Sequence, residues 1–173
     1  STGVLTGAAA FNLSKLLPGK LSNVFFCNSG AEAVEGAIKL ARASSRKERI
    51  IYCKNSFHGK TMGALSITGK RKYQQPFKPL VGATEDIPFA DTASLEYKLK
   101  DGNVAAFIVE PIQGEGGIII PPEGYLKKAR KLCNKYNTYL ILDEIQTGFG
   151  RTGKNFACEY ENIHPDIITL AKS

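Results

Sequence analysis

Short apolar segments rich in β-branched residues alternate along the chain with stretches of helical periodicity. Parallel strands need helix-length connections, so strands that are separated by helices pair in parallel. The alternation therefore predicts an α/β fold with a mostly parallel sheet and flanking helices. We predict strands at 24–27, 50–53, 104–109, 138–142 and 167–171.

Helical features appear between these strands. Apolar residues recur at helical spacing in the segment 31–43, at Val34, Ala37, Ile38 and Ala41. The sequence Pro-Pro-Glu at 121–123 predicts the start of a helix that runs to residue 136, because proline is favoured in a first helical turn. We also predict a helix over 93–100 and helical structure in about the first fifteen residues.

The composition excludes several classes of protein. The 173 residues are 43% apolar and 23% charged, which are the proportions of an ordinary globular chain. No apolar run approaches the roughly 18 residues of a membrane span, and the first residues lack the pattern of a signal peptide. Four cysteines without a Cys-x-x-Cys pair, and only two histidines, argue against a metal site and favour a reduced, cytoplasmic location.

The net charge of +7 is concentrated in the first half of the chain. Basic clusters at 46–49 and 70–72 would suit nucleic acid, an anionic cofactor or an acidic substrate, although a solvated surface is the commoner reason for such clusters. The sequence contains no zinc finger, basic zipper or RNP pattern. We therefore expect neither a nucleic-acid partner nor a membrane.

Polar residues and glycines follow each predicted strand. Ligands of open parallel sheets bind beyond the carboxyl ends of the strands, so these loops are expected to form one site. After the first strand, Ser29 and Glu32 fit a Ser-x-x-Glu capping box, which explains both residues as chemistry that starts a helix. Alternatively, Gly30 lets the backbone approach a phosphate that the helix N-terminus attracts.

The loops after the second and third strands are open to two interpretations each. Phe57, beside His58, would either stack on a planar cofactor or pack into the core. Glu110 precedes a glycine-rich loop around Glu115, and this loop is either a structural turn or part of a site.

Asp143 and Lys172 carry the clearest chemical signal. Asp143 ends an apolar strand, where a carboxylate needs a cationic or N–H partner. This partner would be a metal ion or a protonated pyridine nitrogen. The sequence has no P-loop to complete a metal site of the nucleotide-binding type. Lys172 follows another apolar strand, and apolar surroundings favour a nucleophilic amine, although most lysines in such places are solvated. A phosphate cradle, a stacking ring, a carboxylate and a lysine are together what pyridoxal phosphate requires.

The motifs at these strand ends resemble those of the class III aminotransferases, the ornithine and ω-amino acid type. They are NSGAEA at 28–33, FHG at 57–59, EPIQGEGG at 110–117, LDEIQTGFGRTG at 142–153 and PDIITLAK at 165–172. The likeness spans nearly the whole chain. Further segments are most similar to putrescine aminotransferases, followed by acetylornithine and ornithine aminotransferases: PGKL at 18–21, FFC at 25–27, GALS at 63–66 and FACEYEN at 156–162.

The resemblance implies a role for each matching residue. Lys172 would be the Schiff-base lysine and proton shuttle, and Asp143 would pair with the protonated pyridine nitrogen of pyridoxal phosphate. Gln146 would bond the phenolic oxygen of the cofactor, and Phe57, beside His58, would stack on its ring. The phosphate would be held mainly by backbone amides at Ser29, Gly30 and Ala31, with Ala31 replacing the Thr of many relatives. The substrate-binding residues would be Glu110 and Glu115, the second pairing with an arginine beyond the chain.

The resemblance also implies an architecture and a reaction. Residues 1–173 would be the central part of the large cofactor domain of a fold type I transferase, without the small C-terminal domain, and alone they would have little turnover. The intact enzyme would be a homodimer or larger that moves an amino group from a diamine such as putrescine to 2-oxoglutarate. The alternatives are an acetylornithine or ornithine aminotransferase, an isomerase similar to glutamate semialdehyde aminomutase, and a non-catalytic domain of the same fold. A nicotinamide-dependent dehydrogenase is disfavoured, because no Gly-x-Gly-x-x-Gly follows the first strand.

Overall fold

The computed structural model describes residues 3–172, which form one five-stranded parallel sheet with helices on both faces. The strand order is β2-β1-β3-β4-β5, and every neighbouring pair is parallel. The strands are β1 (Arg49–Cys53), β2 (Thr84–Ile87), β3 (Val104–Val109), β4 (Tyr139–Asp143) and β5 (Ile167–Thr169). The predicted α/β class with a parallel sheet is confirmed.

Six α-helices are found in the described part of the chain. They are α1 (Val4–Leu16), α2 (Gly30–Ser45), α3 (Met62–Ser66), α4 (Arg71–Gln74), α5 (Thr92–Leu99) and α6 (Tyr125–Lys135). Short 3₁₀ turns occupy Gln75–Phe77 and Ala157–Glu161. None of these helices has the length and apolar character to cross a bilayer.

The two faces of the sheet support separate apolar layers, because successive side chains of a strand point to opposite faces. Phe107 and Val109 of β3 pack with α5 and α6 on one face. Ala106 and Ile108 of the same strand pack with α2 and α3 on the other face. All six residues of β3 are buried, as expected for the central strand of a covered parallel sheet.

One strand prediction is wrong, and one strand of the sheet was not predicted. Residues 24–27 do not join the sheet, and the apolar pair Phe25 and Phe26 is 80% and 48% exposed. The fifth strand is instead β2, whose sequence Thr-Glu-Asp-Ile is largely polar. An edge strand needs few buried side chains, so β2 lacks the apolar signal by which the other strands are recognised. An apolar run also does not reveal which surface buries it.

The other elements differ mainly at their ends. The helix predicted over 31–43 is the interior of α2, the one over 93–100 is α5 shifted by one residue, and the first fifteen residues contain α1. The strands predicted at 138–142 and 167–171 are β4, shifted by one residue, and the shorter β5. The helix predicted to run from Pro121 to residue 136 is α6, but its start was placed too early. Gly124 takes a left-handed φ of 79° and turns the chain, so α6 starts only at Tyr125.

Candidate active site

A cleft of about 290 Å³ lies beyond the carboxyl ends of β1, β3, β4 and β5. Nine of the ten residues that the sequence singled out line it: Gly30, Ala31, Phe57, His58, Glu110, Glu115, Asp143, Gln146 and Lys172. Ser29 is the one that does not. Segments that are as many as 142 residues apart in the chain are therefore brought together, as the rule for ligand sites in open parallel sheets predicts.

The N-terminus of α2 forms one wall of the cleft. Ser29 caps this helix, and its Oγ accepts a hydrogen bond from the Glu32 amide at 3.2 Å. The second half of the expected capping box is different, because Glu32 Oε2 accepts from the amide of Asn28, at 2.7 Å, and not from that of Ser29. Ser29 is thus a helix-starting residue, while the neighbouring Gly30 and Ala31 face the cleft at the positive end of the helix dipole.

Gly30 is needed for packing as well as for access. A Cβ at this position would lie 3.0 Å from the Cδ1 of Ile145, which follows β4. The absence of a side chain therefore lets the start of α2 approach the Asp143 loop. This contact joins the N-terminus of α2, which suits an anion, to the loop that follows the buried carboxylate of Asp143.

Asp143 and His58 form a buried pair at the floor of the cleft. His58 Nδ1 lies 2.6 Å from Asp143 Oδ2, and the two residues are 2% and 4% exposed. Because a carboxylate accepts, Nδ1 carries the proton. Asp143 Oδ1 accepts from Thr169 Oγ1 at 3.0 Å and from the Ile145 amide at 3.2 Å, so its carboxylate is fixed on both oxygens. Burial lowers the pKa of His58, but Asp143 and Glu110 oppose this, and the net pKa is raised.

Glu110 is buried beside this pair. Its carboxylate accepts from the Phe57 amide at 3.1 Å and from the Gly114 amide at 3.4 Å, so it ties two loops that line the cleft. Burial raises the pKa of Glu110 from 4.5 to about 7, against the lowering effect of His58. The sequence assigned Glu110 to substrate binding, and the structure adds a positioning contact to that prediction.

The mouth of the cleft carries the exposed groups Gln146, Glu115 and Lys172. All three also line an adjoining cleft of about 850 Å³, so the two cavities are continuous at these residues. Gly114 lies directly against the end of the Gln146 side chain at this mouth. The expectation that Lys172 has apolar surroundings is wrong for this chain, because the side chain is exposed.

Several residues at the site were not found from the sequence. Lys60, Ile112 and Ile145 line the cleft, and Thr169 bonds Asp143. Thr169 carried a signal, since it is the one polar residue in the apolar strand before Lys172. Ile112 and Ile145 carried none, because apolar residues in loops are common.

The cleft has the chemistry to hold an anionic, planar cofactor. Within residues 3–172, His58 Nε2 is buried beside the cleft without a hydrogen-bond partner, so it is available to a bound group. The α2 N-terminus suits a phosphate, Asp143 suits a cation, Phe57 offers a ring and Lys172 a free amine. Between residues 3 and 172, the structure contains no group of three His, Cys, Asp or Glu side chains that could hold a metal ion.

A parallel sheet with a phosphate-type helix N-terminus, a buried carboxylate and a lysine at its strand ends defines a cofactor-binding α/β domain. The family model described as Aminotransferase class-III matches residues 4–173. The chain belongs to the class III aminotransferases. The resemblance identified from the sequence motifs is confirmed at the level of this family.

Named relatives agree with this assignment. The chain is 53% identical over 161 residues to the aminotransferase PigE of Serratia sp. (strain ATCC 39006), an alignment that covers 93% of the chain and 19% of PigE. The ornithine aminotransferase of Toxoplasma gondii ME49 is 44% identical with a TM-score of 0.81, covering 83% of the chain and 36% of that protein. The (S)-enantioselective omega-transaminase of Thermomicrobium roseum is 34% identical with a TM-score of 0.92, covering 99% and 44%. The chain thus spans less than half the length of these relatives.

Proposed function

We propose that the full-length protein is a pyridoxal phosphate-dependent aminotransferase, and that residues 1–173 are the central part of its large cofactor domain. The observation that carries this proposal is the convergence of Lys172, Asp143 and the α2 N-terminus on one cleft. A second structure of the Toxoplasma gondii ornithine aminotransferase, 44% identical to the chain, has this cofactor at partial occupancy in its active site. When bound, pyridoxal phosphate supplies a ring that withdraws electrons from the substrate carbon.

Each wall of the cleft suits one part of this cofactor. The backbone at Gly30 and Ala31 would bind its phosphate, and Asp143 would keep its ring nitrogen protonated. Phe57 would lie against the ring, with Tyr73 packed edge-on behind Phe57 at a centroid distance of 6.0 Å. Gln146 is at the mouth, where its amide would bond the phenolic oxygen.

Lys172 Nζ would hold the cofactor covalently and then move a proton to and from the substrate carbon. A mobile amine suits both tasks, and the exposed position of Lys172 leaves it free to change partners. Glu115, also exposed at the mouth, would contact the substrate or an arginine that binds it.

We propose a diamine or ω-amino compound as the amino donor, with putrescine favoured, and 2-oxoglutarate as the acceptor. The sequence segments most similar to putrescine aminotransferases support this choice. The neighbours named as an ornithine aminotransferase and an omega-transaminase support ornithine or another ω-amino donor as the alternative.

We further propose a cytoplasmic homodimer. Four cysteines without disulfides fit a reduced compartment, and the exposed apolar side chains fit a covering partner: Val4, Leu5, Phe11, Leu16, Phe25 and Phe26.

Borohydride reduction of the full-length protein with pyridoxal phosphate tests the proposal. Peptide mapping should find the reduced label on Lys172, and a denatured sample controls for nonspecific labelling of surface lysines. Labelling equal to that of the denatured control would overturn the proposal. Initial rates with putrescine, ornithine and acetylornithine, each with 2-oxoglutarate, would then rank the donors.

A further inference from the structure

Glu35, on the second turn of α2, makes contacts with the loop opposite it that neither the family motifs nor the cofactor roles explain. Its Oε1 accepts from Thr61 Oγ1 at 2.6 Å, from the Gly63 amide at 2.8 Å and from the Ala64 amide at 3.0 Å. These three donors form the N-terminus of α3. Glu35 therefore caps a helix other than its own, and the Thr61 side chain itself makes no capping bond.

The residues directly before α3 are those that line the cleft: Phe57, His58, Gly59 and Lys60. The C-terminal side of α3 is fixed to the same residues, because buried Thr68 accepts from the His58 amide at 3.1 Å and donates to the Gly59 carbonyl at 3.0 Å. The position of α3 thus determines the path of this loop.

The start of α2 faces the same loop. A Cβ at Gly59 would lie 2.8 Å from the Cβ of Ala31, so the two walls of the cleft are in direct contact there. Glu35 lies one turn further along α2 and bonds α3 just after the same loop. The helix that suits a phosphate and the loop that carries Phe57 and His58 are therefore joined at two points.

We propose that Glu35 is a positioning residue of the cofactor site. It holds the N-terminus of α2, which would bind the phosphate, in a fixed position relative to the loop that carries Phe57 and His58. This inference rests on the proposed function, since it assigns Glu35 an effect on cofactor binding. Glu35 acts through α3, whose N-terminal donors it accepts.

Gly63 shows how closely Glu35 approaches α3. The three atoms nearest to a Cβ at Gly63 all belong to the Glu35 carboxylate, and such a Cβ would overlap it. Gly63 has no left-handed φ, and its closest contact outside its own helix is the Glu35 carboxylate, which a side chain at this position would have to push aside. Gly63→Ala should displace the carboxylate from the α3 amides.

The test compares three variants of the full-length protein by titrating the cofactor-free form with pyridoxal phosphate. Glu35→Ala should raise the dissociation constant about tenfold or more and alter the circular dichroism of the bound cofactor, an effect typical for removal of a group that orients binding residues. Glu35→Gln should stay within about threefold of wild type, because its amide oxygen can still accept from the same donors. Gly63→Ala should weaken binding as Glu35→Ala does.

A matched control separates positioning from general stability. Glu96 of α5 links two helices in the same way, accepting from Lys135 Nζ at 2.7 Å and from Tyr136 Oη at 2.9 Å, away from the cleft. Glu96→Ala should leave the dissociation constant and the dichroism of the bound cofactor at their wild-type values. The Gly63→Ala change should also have little effect in a Glu35→Ala background, since the overlap is then gone.

The outcomes distinguish this inference from the proposed function. If wild type binds the cofactor and both Glu35→Ala and Gly63→Ala bind it equally well, the positioning role is wrong and the proposed function stands. If wild type itself binds no pyridoxal phosphate, the proposed function fails, and the role of Glu35 fails with it. Should Glu35→Ala not fold, Gly63→Ala and Glu35→Gln still give the deciding comparison.

Discussion

The floor of the cleft and its mouth are built in opposite ways. At the floor, Asp143, His58 and Glu110 are buried, and five hydrogen bonds join their side chains to one another and to the surrounding chain. At the mouth, Gln146, Glu115 and Lys172 are exposed. The groups at the floor, at the end of β4 and in the loops after β1 and β3, are thus fixed by burial and hydrogen bonds, while the groups at the mouth lie exposed on loops.

This comparison predicts different responses to substitution. Changes at the floor should affect the electrostatics of the site and the pH dependence of stability. Changes at the mouth should affect the chemical step and leave the folding of the protein nearly unaltered.

Lys172→Ala should have the largest effect on activity. We expect turnover of the full-length protein to fall by several orders of magnitude, because the amine proposed to hold the cofactor and move the proton is removed. The midpoint of thermal unfolding without cofactor should stay close to wild type, since Lys172 is exposed. Lys131→Ala, an exposed lysine of α6, is the control and should retain full turnover. Wild-type rates in Lys172→Ala would contradict the assignment.

Asp143→Asn should be second in size. The change keeps the shape of the side chain but removes the negative charge proposed to stabilise a protonated ring nitrogen of the cofactor. We expect cofactor to remain bound while kcat falls by about a hundredfold or more. The absorbance of the bound cofactor measures whether it is retained, and steady-state rates measure kcat. Unaltered kinetics would remove Asp143 from this role.

His58→Ala should have a smaller effect, because it acts through Asp143. It removes the donor to Asp143 Oδ2 at 2.6 Å and leaves one carboxylate oxygen without its partner. We expect kcat to fall by about tenfold and the pH profile of kcat to shift. His58→Asn should recover part of the loss, because its amide can donate in place of Nδ1. Equal kinetics in all three proteins would show that the pair has no influence on the reaction.

Most of this site could be predicted from the sequence, because parallel strands deliver their carboxyl ends to one edge. The strands that end at Cys53, Val109 and Asp143 were found from apolar runs, and the residues after them meet as expected. Contacts that depend on tertiary packing could not be predicted. The pairing of His58 with Asp143 and the capping of α3 by Glu35 join residues 85 and 26 to 29 positions apart, and no local pattern encodes them.

The fold was less predictable at its edges than at its centre. The central strand β3 was predicted with its observed bounds, since it is buried on both faces and apolar throughout. The polar edge strand β2 was missed, and the exposed Phe25 and Phe26 were mistaken for a strand. Apolar patterning reports burial, and burial by a partner or another domain gives the same pattern as burial in a sheet.

Glu110→Gln should have the smallest effect, and stability is the property that shows it. The pKa of Glu110 is raised by burial from 4.5 to about 7, so the folded state keeps a proton there that the unfolded state has released. The folded state therefore binds more protons between these values, and the free energy of unfolding must fall as pH rises through this range. Glu110→Gln removes the titration, so its stability should fall less steeply than that of wild type.

Over this range the loss of unfolding free energy should differ between the two proteins by at most about 3.5 kcal/mol, from about 1.4 kcal/mol for each pKa unit. Urea unfolding of the cofactor-free, full-length protein at pH 4.5, 5.5, 6.5 and 7.5 measures it, and these values bracket the shift of Glu110. His58 also has a raised pKa and adds a decline with rising pH, and Glu110 contributes to that raised pKa, so the difference between the two proteins reports Glu110 together with its effect on His58. Glu123→Gln, at an exposed loop carboxylate, is the control and should follow wild type. If stability depended on pH in the same way in wild type and Glu110→Gln, Glu110 would titrate alike in the folded and unfolded states. The carboxylate at the floor of the cleft would then be as accessible to water as those at its mouth.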